Sequence, residues 1–275
     1  MIVLKDGIIK SYTGKDEHDE SRFFRDDRNF PGGAVYDSIL YLNEGTVALG
    51  EHLERLSQSA EILHFSFGRS LQRQIREWIQ MVIEAAGCEP QFLRITATPD
   101  HVVIVSRSLE PIGDIYDEGV SVITQRFERN PDTIKAKMVY RPELDRLYAQ
   151  AQQTRKFGKR CFECLIYNQD DELTEGTRSN ILWVDEDGTL CWCEKALSGI
   201  TQKIILNIAE NCGIPTREGT LSRKELFRIQ EMMMTKTSTG ICGIVMVDQT
   251  MIGNGSPGLI TNQLHEHYQK LILRA

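Results

Sequence analysis

Between Arg107 and Gly119 the sequence RSLEPIGDIYDEG shows neither helical nor strand periodicity and mixes proline, glycine and acids, the composition of a connection between domains. What precedes it must therefore close a core of its own. The opening MIVLKDGIIK reads as a hairpin turning at Asp6-Gly7, and Ala34 to Leu42 as a strand. Glu51 to Leu63 spaces Leu53, Leu56, Ala60 and Leu63 at helical intervals. Ser70 to Ala86 does the same with Leu71, Ile75, Trp78, Ile79 and Val82, and Gly87 ends it. Phe92 to Ala97 and Val102 to Ser106 then pair as strands. The expected division is an N-terminal α+β domain over 1–110, a linker over 111–119 and a second domain over 120–275.

The second domain alternates less regularly. Strands are expected at Val120 to Gln125, Cys161 to Asn168, Asn180 to Val184, Thr189 to Cys193, Glu231 to Thr235 and Gly243 to Val247. Helices are expected at Glu143 to Phe157, Thr201 to Asn211, Ser222 to Ile229 and from Ile260 onward. Residues 14–28 are mostly charged and read as a solvated loop.

Charge and cysteine usage exclude several classes. With 32 Lys plus Arg against 39 Asp plus Glu, the net charge of −7 has the wrong sign for non-specific attraction to nucleic acid or anionic membrane. No apolar run is long enough to cross a bilayer, and the first ten residues put charges where a signal peptide needs apolar ones. A soluble cytoplasmic chain is expected. Its seven cysteines suit free thiols in a reducing compartment. Cys161-x-x-Cys164 and Cys191-x-Cys193 fall on expected strands, where the two thiols of the first pair face opposite ways, so no metal site is expected. Gly253-Asn-Gly-Ser-Pro-Gly258 fits a dinucleotide fingerprint, but only 17 residues follow it, too few for a βαβ unit, and it reads as a turn.

A set of segments running in order from about Val35 to Leu271 resembles the class IV, or fold-type IV, pyridoxal-phosphate enzymes. These are the branched-chain amino acid aminotransferases, D-amino-acid transaminases and aminodeoxychorismate lyases. Leu173-Thr-Glu-Gly-Thr-Arg-Ser-Asn-Ile181 is similar to their glutamate-bearing signature and Leu197-Ser-Gly-Ile-Thr201 to their turn into a helix. Thr237-Ser-Thr, the segment from Asp248 to Thr261 and Glu51-His-Leu-Glu-Arg55-Leu match the remaining pieces. The resemblance implies an α+β, two-domain, D-amino-acid aminotransferase-like fold, with a smaller N-terminal α/β domain and a larger C-terminal one. It also implies a homodimer and pyridoxal 5′-phosphate as cofactor.

The chemistry accounts for the residue types. A carboxylate beside the cofactor's ring nitrogen favours its protonated, electron-withdrawing form, and the resemblance gives this role to Glu175. A phosphate dianion needs a charged fork and helix N-terminal amides: Arg55, Ile200, Thr201 and Thr237 by the same resemblance. Pro131 to Tyr140 offers Lys135 and Lys137 on one face of an expected strand. Lys135 stands four after Pro131 and five before Tyr140, the spacing that in branched-chain enzymes joins the Schiff-base lysine to a tyrosine at the cofactor's phenolic oxygen. Lys135, Tyr140 and Glu175 are therefore the expected catalytic residues. Tyr36, Arg94 and Ser238 are the expected substrate contacts. Arg94 resembles the arginine of the branched-chain enzymes, whereas D-specific ones place theirs where this chain has Ala97.

The implied reaction is amino transfer between an L-amino acid, branched-chain or otherwise apolar, and 2-oxoglutarate. Two alternatives stay open: a lyase acting on aminodeoxychorismate, because one fold supports several chemistries, and a non-catalytic relative. The second is suggested by Gly32-Gly-Ala34, where the family has Gly-acid-Gly, and by Lys236, where it has Ser or Gly.

Overall fold

Two strong local signals start the first sheet. In the computed structural model, which describes residues 1–11, 33–42, 45–109, 113–156 and 159–273, β1 (Ile2–Lys5) and β2 (Ile8–Ser11) pair with Lys5 opposite Ile8. Asp6 and Gly7 take φ of 48° and 87°, the left-handed values that a two-residue hairpin turn demands. The expected loop at 14–28, like Gly32, lies outside the described residues. β3 (Val35–Leu42) and β4 (Gly45–Thr46) follow, then α1 (Leu49–Ile62), α2 (Arg69–Ala85), β5 (Gln91–Ala97) and β6 (Val102–Ser108). Among the described residues these six strands form an antiparallel sheet in the order β2-β1-β6-β5-β3-β4.

One face of this sheet is closed by the two helices. Leu53, Leu56 and Ala60 of α1 and Ile75, Ile79, Val82 and Ile83 of α2 pack on Val35, Ile39, Leu93, Ile95 and Ile104. Side chains alternate along β3, so Asp37 lies in the same inward row as Val35 and Ile39, while Tyr36 and Ser38 belong to the other face with Arg94, the cross-strand partner of Ser38. A charged residue thereby enters an apolar row.

The unit containing this sheet comprises Met1–Glu110, Lys135–Arg141 and Ile272–Ala275. The middle piece departs from the sequence reading, which kept 120–275 whole. It joins the edge of β3 through a single bridge, Val35 opposite Met138, supported by Tyr36 N–H to the Lys137 carbonyl and Val139 N–H to the Ala34 carbonyl, both 2.9 Å. The expected strand from Pro131 to Tyr140 is instead a turn through Lys135 followed by that bridge.

The second unit comprises Pro111–Ile134 and Pro142–Leu271. The expected linker contains a helical turn, α3 (Ile115–Glu118). β7 (Val120–Arg126), α4 (Pro142–Gln153), the small hairpin β8 (Arg155–Lys156) with β9 (Lys159–Arg160), β10 (Glu163–Tyr167), β11 (Leu173–Gly176), β12 (Asn180–Val184), β13 (Leu190–Trp192), α5 (Ile200–Asn211) and β14 (Thr216–Glu218) follow. β15 (Glu231–Lys236), β16 (Gly240–Val247), β17 (Thr250–Met251) and α6 (Leu259–Ile272) complete the chain. Among the described residues its nine-stranded sheet runs β11-β10-β7-β16-β15-β12-β13-β14, with β17 on β16. One core forms around Leu165, Tyr167, Ile181, Trp183, Met232, Met234 and Ile244.

Two local expectations fail for tertiary reasons. Ser222 to Ile229 makes only a 3₁₀ turn at Arg223–Glu225, capped by the reciprocal Ser222 and Glu225 pair, after which Gln230 N–H bonds the Val184 carbonyl as the chain enters β15. Cys161 and Cys164 enter the same apolar cluster with Ile123, Leu144 and Leu147, since the strand begins only at Glu163 and the alternation argument does not reach Cys161. The Gly253 to Gly258 stretch is a turn, with Gly253 and Gly255 at φ 54° and 82°.

Gly240 ends the turn between β15 and β16 at φ 65°, and a Cβ there would stand 2.5 Å from Cε1 of the buried Tyr268. Gly240→Ala is expected to destabilise the protein by about 1–3 kcal/mol, combining left-handed strain with overpacking. Urea denaturation of the variant beside the parent measures this.

Candidate active site

The buried carboxylate of Asp37 organises the first unit. It is 0% exposed, and three cationic or titratable side chains converge on it. Arg55 gives Nε to Oδ2 at 2.8 Å and Nη2 to Oδ1 at 2.6 Å, a two-pronged grip that neighbouring turns of α1 extend with His52, whose Nδ1 lies 2.9 Å from Oδ1. Lys137 Nζ stands 3.3 Å from the same oxygen, and the Ser38 amide donates to it at 2.7 Å. The Lys137 backbone is pinned as well, its N–H donating to Ser59 Oγ at 3.0 Å. His52, Arg55 and Ser59 occupy one stripe of α1, which is why a helix read only for its leucines also carries this polar set.

The electrostatics follow from this crowding. Burial by itself would raise the Asp37 pKa, but the charges of Lys137 and Arg55 and the His52 hydrogen bond outweigh it and hold the carboxyl well below the usual range. Burial lowers the proton affinity of Lys137, the Arg55 charge lowers it further, and Asp37 and Tyr36 only partly oppose them. His52 is also shifted down, by burial first.

Of the sequence-predicted residues in this unit, Arg55 joins the Asp37 cluster and Tyr36 lies beside it, with Lys137 Nζ 5.2 Å from its ring centre. The Arg94 guanidinium sits 3.7 Å from that centre. Lys135 is exposed and Tyr140 is 57% exposed. Asp37, His52 and Arg141 were not singled out by sequence reasoning. An acid after an aromatic on a strand, followed by His-x-x-Arg on a helix, is the signal that could have found the first two.

In the second unit Glu175 projects from β11, opposite Ile166 of β10, and is 4% exposed. It ion-pairs with Arg129 and accepts the Leu197 amide at 3.1 Å. Asn180 holds the same turn from the other side, its Nδ2 donating to the Leu197 carbonyl at 2.6 Å. Gly199 must be glycine here, because a Cβ would fall 2.0 Å from Asn180 Oδ1. It is also the N-cap of α5 and supplies no side-chain cap, so the first amides of the helix, with buried Ile200 and Thr201, keep their capacity for an anion.

Tyr268 links this turn to the next one, hydrogen-bonding the Thr201 side chain while its ring covers Gly240. The turn before Gly240 carries half-buried Thr237, exposed Ser238 and buried Thr239, whose carbonyl accepts the Tyr116 hydroxyl at 2.7 Å. Thr239 Oγ1 and Thr235 Oγ1 are buried with no hydrogen-bond partner among the described residues. Buried hydroxyls left in this state suit a group with several acceptor oxygens. Lys236, by strand alternation, shares the face of Met232 and Met234 and lies 4.3 Å from the Phe162 ring centre, and burial lowers its pKa.

A family model described as amino-transferase class IV matches residues 34–247. A branched-chain-amino-acid aminotransferase of Salmonella typhimurium is 26% identical over 265 residues, covering 87% of this chain and 82% of the relative. A D-alanine aminotransferase of Listeria monocytogenes is 24% identical over 275 residues, with 94% of each chain covered. Among solved structures, a branched-chain aminotransferase of the thermophilic archaeon Thermoproteus uzoniensis with norvaline superposes with a TM-score of 0.82 at 22% identity, over 100% of this chain and 95% of the other. At that identity the likeness concerns the fold. Among the described residues, no helix is long and apolar enough to cross a membrane, and no group of three or more His, Cys, Asp or Glu could hold a metal ion.

The His52 shift has a testable consequence. Its folded-state pKa lies below the unfolded value of about 6.5, so in the range just below that value the unfolded chain binds a proton that the folded chain refuses, and stability falls with falling pH. Asp37 adds a second loss in stronger acid, as pH drops from about 3.9 toward its depressed folded-state value. Urea denaturation across pH should show the upper slope flattened in His52→Gln and the lower one retained.

Proposed function

The chain belongs to the class IV aminotransferase family, and from that premise we propose that it moves an amino group between an L-amino acid and 2-oxoglutarate, using pyridoxal 5′-phosphate, as a cytoplasmic homodimer. The observation that carries the reading is the Lys137 amine, desolvated and set against Asp37 and Arg55. When bound, the cofactor supplies an electron sink for the pair left behind as the amino acid loses its Cα proton. Lys137 is in this reading the lysine that carries the cofactor, and later takes and returns that proton. Its depressed proton affinity supports the choice, because the neutral amine is both nucleophile and base. Lys135, favoured by spacing alone, is exposed.

The other roles divide by chemistry. Glu175 would attend the ring nitrogen: two of its acceptor sites are taken by Arg129 and the Leu197 amide, and a carboxylate has about four. The Ile200 and Thr201 amides, Thr237 and the unpartnered Thr239 hydroxyl suit the phosphate. Arg55 gives Asp37 its Nε and one Nη, so its first task is to position Asp37, and any contact with phosphate comes second to that. Arg94, standing on Tyr36, and exposed Ser238 would meet the substrate. Ala97, fully buried, leaves no arginine where the D-specific enzymes place theirs, which favours an L-amino acid. The names of the relatives extend to branched-chain amino acids as donors.

Borohydride reduction of the holoenzyme followed by peptide mapping should place the pyridoxyl label on Lys137, and a label on Lys135 or Lys236 overturns the assignment. Glu175→Gln should retain cofactor yet slow the amino-acid half-reaction by about 10²–10³-fold, the scale of losing one preorganised electrostatic contact. Stopped-flow cofactor absorbance with a panel of L- and D-amino acids reads both donor preference and this loss. Conversion by D-amino acids alone would remove the L-specific reading.

A further inference from the structure

The turn between β15 and β16 is held from outside the two strands it joins. Within the turn, Thr239 N–H donates to the Lys236 carbonyl at 3.2 Å. Its far end meets Tyr116 of α3, whose hydroxyl, 123 positions away in sequence, donates to the Thr239 carbonyl at 2.7 Å. Two contacts fix the tyrosine. Its ring centre lies 4.2 Å from that of His265 in α6, at an interplanar angle of 31°, and His265 is itself hydrogen-bonded to the Ile241 backbone. Gly119, at φ 69°, brings the end of α3 so close to β16 that a Cβ there would fall 2.3 Å from Val245 Cγ1. Burial pushes the pKa of the Tyr116 hydroxyl up, so it stays protonated, and a donor, through neutral pH.

The carbonyl that Tyr116 holds belongs to the most easily rotated peptide of the turn. Glycine accepts either sign of φ, so the Thr239 to Gly240 peptide can flip at small cost unless its carbonyl is engaged; here Gly240 stands at φ 65°. A flip would change the backbone of Thr239 and redirect the hydroxyls of Thr237, Ser238 and Thr239, the last of which is buried with no partner among the described residues. Donors fixed in advance lose less freedom on binding than donors that the ligand must order. Packing of α3 does not require the bond, since Ile115 and the Tyr116 ring already lie against the core of the second unit. We propose that Tyr116 is a positioning residue: by fixing the Thr239 carbonyl it aims the hydroxyls of the 237–239 turn at the cofactor's phosphate. This rests on the aminotransferase reading for the identity of the anion, and adds to it the residue that controls the turn.

Tyr116→Phe keeps the ring on His265 and removes only the donor. The apo parent and variant are titrated with pyridoxal 5′-phosphate, with pyridoxal, which lacks the phosphate, and with inorganic phosphate alone. The variant is expected to bind pyridoxal 5′-phosphate and inorganic phosphate about three- to tenfold more weakly, the scale of one net hydrogen bond, and pyridoxal as the parent does. The same selective loss is expected from His265→Leu, which leaves Tyr116 in place but removes the ring it rests on, so the proposal is tested even where Tyr116→Phe folds poorly. Equal losses for pyridoxal and its phosphate would make Tyr116 a structural residue, and parent-level affinity for the phosphorylated form in both variants would also overturn the proposal. If the parent converts no amino acid yet binds inorganic phosphate in a Tyr116-dependent way, the aminotransferase reading falls and the positioning role stands for another phosphorylated ligand. If the parent converts L-amino acids and both variants bind the cofactor equally well, the reverse holds.

Discussion

A single carboxylate with no exposure to water, Asp37, sets the terms for the first unit. Removing it from solvent would be ruinous for an isolated charge, and the structure offsets this with a two-pronged arginine, a histidine, a lysine and a backbone amide on its two oxygens. The arrangement binds α1, β3 and the Lys135–Arg141 segment through one group. Apolar contacts hold α1 on the sheet, but they specify its rotation loosely. The grip of Arg55 and His52 on Asp37 specifies it closely, because a bidentate ion pair tolerates little displacement. The cluster also places an amine of reduced proton affinity beside Tyr36.

The second unit presents backbone and hydroxyl donors in two of its turns. An α-helix that begins at glycine leaves its first amides uncapped, and a β-turn with buried threonine hydroxyls adds donors with unmet demand. Steric demands keep both turns in shape. Asn180 leaves no room for any side chain at Gly199, and Tyr268 leaves none at Gly240. Gly199 is required by its neighbour alone, and Gly240 by both its neighbour and its left-handed φ of 65°.

How much of this was legible in the sequence depends on the distance over which each feature is decided. The hairpin at Asp6-Gly7, the two early helices and the strand at Asn180–Val184 are set by residues within a few positions, and the structure places them within one or two residues of expectation. Glu175 and the turn before α5 were found by motif, and their mutual hydrogen bond joins them as neighbours. The choice between Lys135 and Lys137 was not legible, because the difference between an exposed amine and a desolvated one is made by a carboxylate 100 residues away. Arg129 escaped notice for the same reason, lying 46 residues from Glu175. At Ser222 the capping signal is present and used, yet the helix it announces closes after one 3₁₀ turn, and the chain goes on to pair with β12 from Gln230.

The first unit is assembled from three separated stretches of chain, which gives it an order of events during synthesis. As a ribosome releases the chain, Asp37 meets His52 and Arg55 within 18 residues and can be neutralised early, while the sheet and both helices close around it. The lysine arrives only after the second unit has begun to emerge. A nascent chain stopped before Lys137 would hold a nearly complete scaffold with its charge already balanced, but without the amine and without the arginine that follows it. Scaffold and amine are thus separated in time by the path of the backbone, and Lys137 is delivered to an environment that is already dry and already charged.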